Sequence, residues 1–286
     1  AESDPAHWAT LKVLNVLSDK ARLRGPVETG RSPAPDKKKV PPSLGPEWVI
    51  AAVGDPKALN GIPANTSRLL YCASQLRDRM SLDHWRTVQR LAHEHEQPPQ
   101  SLEAALAILD RVIPAGTALS GYALDDMTRD DAWRFLVMGR DLERMGFISS
   151  AAMQVLGLPD EECDAVLGAL LEIGNVSMTY RARYQRQPEL LPVLDLLVLD
   201  EQNPHSVCFQ LAALGNHLQQ VDTRLGFRPV NDPASLLQAL RGFDIAEFEA
   251  LSMPEGEPLA ALLAACERCV YGLSDELTQR FFIHAG

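Results

Sequence analysis

The segment Trp133-Arg-Phe-Leu-Val-Met-Gly-Arg-Asp-Leu-Glu-Arg-Met-Gly-Phe147 concentrates the residue types best suited to holding an anion. On a helical wheel of about 100° per residue, Trp133, Val137, Arg140, Arg144, Phe147 and Ala151 share one direction, flanked by Glu143. Two arginines thus interrupt an apolar stripe. The opposite side carries Phe135, Met138, Leu142, Met145 and Met153, so the helix is apolar nearly all round and is expected at the centre of the fold. A buried guanidinium without compensation is strongly destabilising, which requires carboxylates nearby. Glu143 lies three residues from Arg140, and Asp125, Asp126, Asp195 and Asp200 are candidates from other helices. Two outcomes follow. Either a closed ion-pair lattice fixes helix register, or one arginine fork stays open for a carboxylate or phosphate.

Two further groups carry polar chemistry. Tyr180 and Tyr184 lie four residues apart beside Arg181 and Arg183, which suits core tyrosines hydrogen-bonded to an arginine network or, alternatively, ligand contacts. Asn203-Pro204 reads as a helix cap with proline in the opening turn, and Asp200 before it can set a carboxylate near that helix start. The substrate-binding set expected on these grounds is Arg140, Glu143, Arg144, Arg181, Arg183, Tyr184, Asp200 and Asn203. No catalytic residue is assigned. His93-Glu94-His95 puts its imidazoles on different helix faces, unlike the i,i+4 pair of a zinc protease. Cys266 and Cys269 form one CxxC without a second half, so no metal is expected. There is no Walker A, dinucleotide or Gly-x-Ser-x-Gly motif.

The elements that must position these residues are helices. From Asn65 onward the apolar pattern has a 3.6-residue period, with no sustained alternation, and the fold class is all-α. The spacing predicts helices over 66–80, 82–96, 101–112, 117–125, 129–156, 160–186, 189–199, 204–224, 233–241, 244–251 and 256–284, most of them punctuated by proline. A multi-helix antiparallel bundle around 129–156 is expected, with Ala132, Gly139, Gly146 and Ser150 forming a stripe of small residues. Residues 1–24 read as a leading helix, 25–64 as a connector holding eight Pro and five Gly, and 65–286 as the helical domain. A weak repeat relates Val49–Asp55 and Asn65–Cys72 to Val193–Asp200 and Asn203–Gln210: an apolar helix, an Asp, then a Ser near the next helix start. An internally duplicated helical unit would explain it.

The formal net charge of −11 argues against nucleic-acid binding, which needs clustered cations. All six Lys fall in residues 1–57, and the acidic remainder carries only Arg, which suits either a compositional bias or guanidinium groups forked onto carboxylates. Five scattered Cys suggest reduced thiols and a cytoplasmic setting. The longest uncharged run, 145–159, is too short and too polar to span a membrane. The opening Ala1-Glu2-Ser3 suggests an excised part of a longer protein.

Taken together, these motifs resemble the bacterial alpha-E family, a helical domain of unknown function. Gly139-Arg140-Asp-Leu-Glu143-Arg144 looks like that family's Gly-Arg-x-x-Glu-Arg signature. Leu76 to Ser81 with Trp85-Arg86, Tyr180 to Tyr184, Pro192 to Leu211 and Leu273 to His284 resemble it as well. Two departures stand out: the family's first helix, with its own Gly-Arg-x-x-Glu-Arg copy, has no match before Trp8, and His205 stands where the family often has Arg. The resemblance implies a partner, a circularly permuted ATP-grasp protein or domain, that binds ATP and Mg while this chain binds neither. It further implies an accessory or co-catalytic role in ATP-dependent amide-bond formation on a peptide or amino-acid-like substrate. The alternatives are a stand-alone enzyme binding a carboxylate-bearing substrate through its Arg and Glu cluster, or an oligomerisation module forming a homo-oligomer.

Overall fold

The structure, a computed structural model, describes residues 46–58, 61–94, 97–245 and 257–282. The expected leading helix, most of the connector and most of the helix expected over 244–251 lie outside these residues. Among the described residues every regular element is helical. The chain forms two compact units, one reaching to Trp133 and the other running from Arg134.

In the first unit, α1 (Pro46–Gly54), α2 (Ile62–Gln75), α3 (Leu82–His93) and α4 (Leu102–Asp125) pack on one another. Val53 of α1 meets Ala105 and Ile108 of α4, and Val49, Ile50, Ile62, Leu109 and Val112 surround them. Serine caps start two of these helices. Ser81 Oγ accepts from the His84 amide at 3.2 Å, and Ser101 Oγ accepts from the Ala104 amide at 3.2 Å. α4 was expected in two pieces divided at Pro114 and Gly116, yet it runs unbroken. Pro114 is exposed, so its ring meets solvent, and apolar burial at Ala105 and Ile108 before it and Ala123 after it holds both halves. The carbonyls at the end of α4 are taken by side chains. Trp133 Nε1 donates to the Ala123 oxygen at 2.8 Å, Arg129 donates to Ala123 and Leu124, and the Arg129 guanidinium lies 4.3 Å from the Trp133 ring centroid.

α5 (Asp131–Leu156) carries the second unit's longest buried face, with α6 (Asp160–Ile173), α7 (Ser177–Tyr184), α8 (Leu190–Leu194), α9 (Val207–Leu225), α10 (Pro233–Arg241) and α11 (Glu257–Leu277). The single helix expected over 160–186 is broken. Gly174 ends α6 and Asn175 adopts φ 55, a left-handed conformation that stops a helix. At Gly174 a Cβ would come within 2.5 Å of Leu197 Cδ2, so glycine also admits the neighbouring chain. α8 widens into a π-helical turn, Asp195–Leu199, closed by the Asp200 amide donating to the Asp195 carbonyl at 2.9 Å. Val193, Leu194, Leu196, Leu197 and Val198 are all fully buried, so this segment lies inside the unit on every side.

The proposed repeat has a local counterpart. Asp55 Oδ1 accepts from the Lys57 amide and Asp200 Oδ1 from the Gln202 amide, each at 2.8 Å, the same side-chain turn after each apolar helix. The serines differ: Ser206 is the N-cap of α9, accepting from the Phe209 amide at 3.0 Å, whereas Ser67 lies within α2.

The small-residue stripe of α5 divides by environment. A Cβ at Gly146 would lie 3.4 Å from Val270 of α11, but at Gly139 it would meet nothing within 4 Å. Gly146→Leu is therefore expected to lose about 1 to 3 kcal/mol by overfilling that contact, while Gly139→Ala is neutral or more stable. Thermal unfolding of the two variants checks the contrast.

Candidate functional site

α5, expected to be apolar nearly all round, buries one side most deeply. Met138, Leu142, Met145, Ile148, Ala152 and Val155 are buried, and Asp141 lies among them, while Phe147 is 45% exposed. The stripe holding Arg140 and Arg144 is thus a flank of the helix, and both arginines are half-buried. The methionines fill the interior.

Asp141 is the buried carboxylate that the pattern reading passed over. It is 8% exposed, and its Oδ2 has no hydrogen-bond partner. Burial pushes its pKa up to about 6, against the opposing pull of Arg140 and Arg144. Arg144 spans toward α9 and donates from Nη1 to the Pro204 carbonyl at 3.1 Å. Gln210 Nε2 donates to the same oxygen. Burial lowers the Arg144 pKa and the like charge of Arg140 lowers it further. Burial also lowers the pKa of His205, with Arg144 adding to the effect, so the imidazole stays neutral. The expected Arg140–Glu143 ion pair does not form: Glu143 is exposed, and among the described residues neither Arg140 nor Arg144 enters an ion pair within 4 Å. Three of the four carboxylates proposed from other helices are engaged elsewhere, Asp126 with Ser81 Oγ at 2.6 Å, Asp195 with Tyr184 and Asp200 with Arg183.

Those last two contacts belong to a closed network around the π turn. Arg183 Nη1 donates to Asp200 Oδ2 at 2.7 Å, and Tyr184 Oη donates to Asp195 Oδ2 at 3.0 Å. The hydrogen bond to Asp200 holds the Arg183 pKa up, and burial raises that of Tyr184. Asn203 is not the expected cap. It is buried, with Nδ2 donating to the Leu196 carbonyl at 2.7 Å and Oδ1 accepting from the His205 amide at 3.1 Å. A widened turn leaves carbonyls misaligned for the ordinary helical ladder, and Asn203 satisfies one of them. Ser206, the serine expected near this helix start, donates to the Asp200 carbonyl while capping α9.

The eight expected residues therefore separate. Arg183, Tyr184, Asp200 and Asn203 hold one another or the turn. Arg140 and Arg144 form a second, charge-unbalanced cluster, joined to the turn through Pro204. Arg181 lines a separate cavity beside α6, and Glu143 joins neither group. No group of three or more His, Cys, Asp or Glu arranged to hold a metal occurs among the described residues, and burial pushes the Cys266 and Cys269 thiols up to about 12 and about 11. No helix of the described residues is long and apolar enough to cross a membrane.

Residues 7–282 match the Alpha-E family model, which is described as a predicted alpha-helical domain with a conserved ER motif. The dipeptide Glu-Arg occurs here at Glu143-Arg144 and again at Glu267-Arg268 on α11. The uncharacterized protein Rv2567 of Mycobacterium tuberculosis is 27% identical over 249 residues, and the uncharacterized protein Mb2597 of Mycobacterium bovis matches to the same degree. The match takes in 82% of this chain but only 28% of each relative's length. No solved structure matches.

Asp141 sets a pH dependence whose sign follows from its environment. Folded, it holds its proton to about pH 6, whereas its ordinary value is 3.8. Within that window the folded state binds the extra proton, so its contribution to stability is greatest at the acid end and is lost as pH rises through about 6. Asp141→Asn is expected to abolish this fall and to exceed the parent at about pH 8 by up to about 3 kcal/mol. Urea midpoints across the window measure it. Equal slopes for parent and variant would contradict the assignment.

Proposed function

Because the chain belongs to the Alpha-E family, we propose that it is a helical accessory or co-catalytic component of an ATP-grasp amide ligase, presenting Arg140 and Arg144 to an anionic group of the substrate. The observation that carries this reading is the charge imbalance on α5. Two guanidinium groups one helical turn apart repel each other and enter no ion pair among the described residues. The nearest carboxyl, Asp141, is protonated more readily than an ordinary one. A carboxylate or phosphate docked between the forks relieves that repulsion and uses donors that Lys could not align.

The chain's own chemistry in such a system is binding and orientation. Arg144 is held at one end by Pro204, so its remaining N–H groups point from a fixed position. Neutral His205 beside it adds no competing charge and supplies a ring nitrogen for hydrogen bonding. ATP and Mg belong to the ATP-grasp partner, which supplies phosphoryl activation of a carboxylate; the substrate is peptide-like or amino-acid-like. An ATP-consuming partner places the pair in the cytoplasm. That relatives extend well beyond the matched region supports a multi-component setting.

The test is reconstitution with a circularly permuted ATP-grasp protein, following ADP release in the presence of an amine and a carboxylate substrate. Arg140→Gln should lower turnover at least tenfold, about 1.4 kcal/mol of lost stabilisation. Arg140→Lys should fall between it and the parent, and Glu143→Gln should leave the rate unchanged. Full activity in a folded Arg140→Gln protein would overturn the proposal.

A further inference from the structure

A cavity of about 590 Å³ lies where α6, α7 and the turn after α7 meet. Its walls include Gly168 and Glu172 of α6, Arg181 of α7, and Gln185, Arg186 and Gln187 of the turn. The volume lies within the range typical of small-molecule sites. The site stands apart from Arg140 and Arg144 in its residues and does not rest on the ligase reading.

The turn that supplies four of the ten lining residues is fixed from below. Tyr180 is buried at the cavity edge; its hydroxyl donates to the Gln187 carbonyl and accepts from the Glu189 amide, each at 3.0 Å. Gln185 ends α7 with φ 52, a left-handed conformation uncommon outside glycine. The two contacts hold the chain in that path, so Gln185, Arg186 and Gln187 are presented by a pinned backbone. On the opposite wall Gly168 leaves the cavity unfilled, since a Cβ there would meet nothing within 4 Å.

The charges lining the cavity are of both signs and exposed at its mouth. Arg186 pairs with Glu189 at 3.2 Å, but the Arg181 guanidinium and the Glu172 carboxylate enter no ion pair among the described residues. A lone phosphate would meet Arg181 favourably and Glu172 unfavourably. A molecule carrying both a carboxylate and an ammonium group meets both favourably, the fork of Arg181 taking the carboxylate in two parallel hydrogen bonds. The side-chain amides of Gln185 and Gln187, each with a donor and an acceptor, suit a peptide bond or a polar side chain between the two charges. We infer that this cavity binds a free amino acid or short peptide as its zwitterion, carboxylate toward Arg181 and ammonium toward Glu172.

Isothermal titration of the full chain with the free L-amino acids and a set of alanyl dipeptides tests this, with inorganic phosphate as a further probe. At least one zwitterion should bind. Its N-acetylated and C-amidated forms should each bind at least tenfold more weakly, and phosphate should not compete. Arg181→Met should abolish binding and Arg181→Lys should weaken it. Gly168→Leu should fill the cavity and abolish binding with an unchanged or higher unfolding temperature, because glycine is the poorer helix former. Arg140→Gln should leave this affinity untouched, which separates the site from the one on α5. No binding by any zwitterion, retained affinity in Gly168→Leu or Arg181→Met, or tighter binding of the amidated form would overturn the inference.

Discussion

A carboxyl group buried between two arginines governs the second unit. Asp141 faces the interior of α5 while Arg140 and Arg144, its neighbours on the helix, reach the flank. Burial favours the protonated acid and the guanidinium groups favour the anion, and burial is the larger effect. The acid is therefore half protonated near pH 6 and becomes the anion above it, so at most one negative charge faces the two cations. Arg144 is kept from leaving by the Pro204 carbonyl, which Gln210 also holds. The position of Pro204 depends in turn on the π turn and on Asn203.

That turn is where packing and polar chemistry meet. Leu196, Leu197 and Val198 are buried together, which an ordinary helix at the surface of a unit would not allow. The polar cost of widening the helix is met by Asn203, Ser206, Asp200 and Asp195, each engaged by a specific partner. Residues that sequence reasoning grouped as one binding set thus do two jobs. Arg183, Tyr184, Asp200 and Asn203 make the segment a rigid support, and Arg140 and Arg144 are supported by it.

The helical class was legible in the sequence because period and proline punctuation agree over most of the chain. Breaks were less so. Pro114 looked like a stop, but an exposed proline flanked by buried faces is tolerated, while Gly174-Asn175 looked like helix interior and is a true break. Glycine followed by asparagine was the available signal, since both accept left-handed backbone. At the site, the arginines of α5 were found from residue type and spacing. Asp141 was missed because the helix carries apolar residues all round, so its wheel gives no unique inner face; only the packing of Met138, Leu142 and Met145 selects one. The cavity beside Arg181 lies within residues 168–188, which the periodicity ran mostly as one continuous helix, so the break at Gly174-Asn175 that allows it was not anticipated. Family membership was visible from combined motifs, although the local pairing of Arg140 with Glu143 that spacing implied is absent.

The central claim is that Arg140 and Arg144 retain unsatisfied capacity for an oxyanion whereas Arg183 does not. Side-chain nitrogen NMR of the arginines during titration with acetate and with phosphate tests it most directly. The account predicts saturable shifts of the Arg140 and Arg144 Nε resonances, with Arg183 unmoved because Asp200 already occupies it. Unresponsive Arg140 and Arg144 resonances, or an equal response at Arg183, would contradict it.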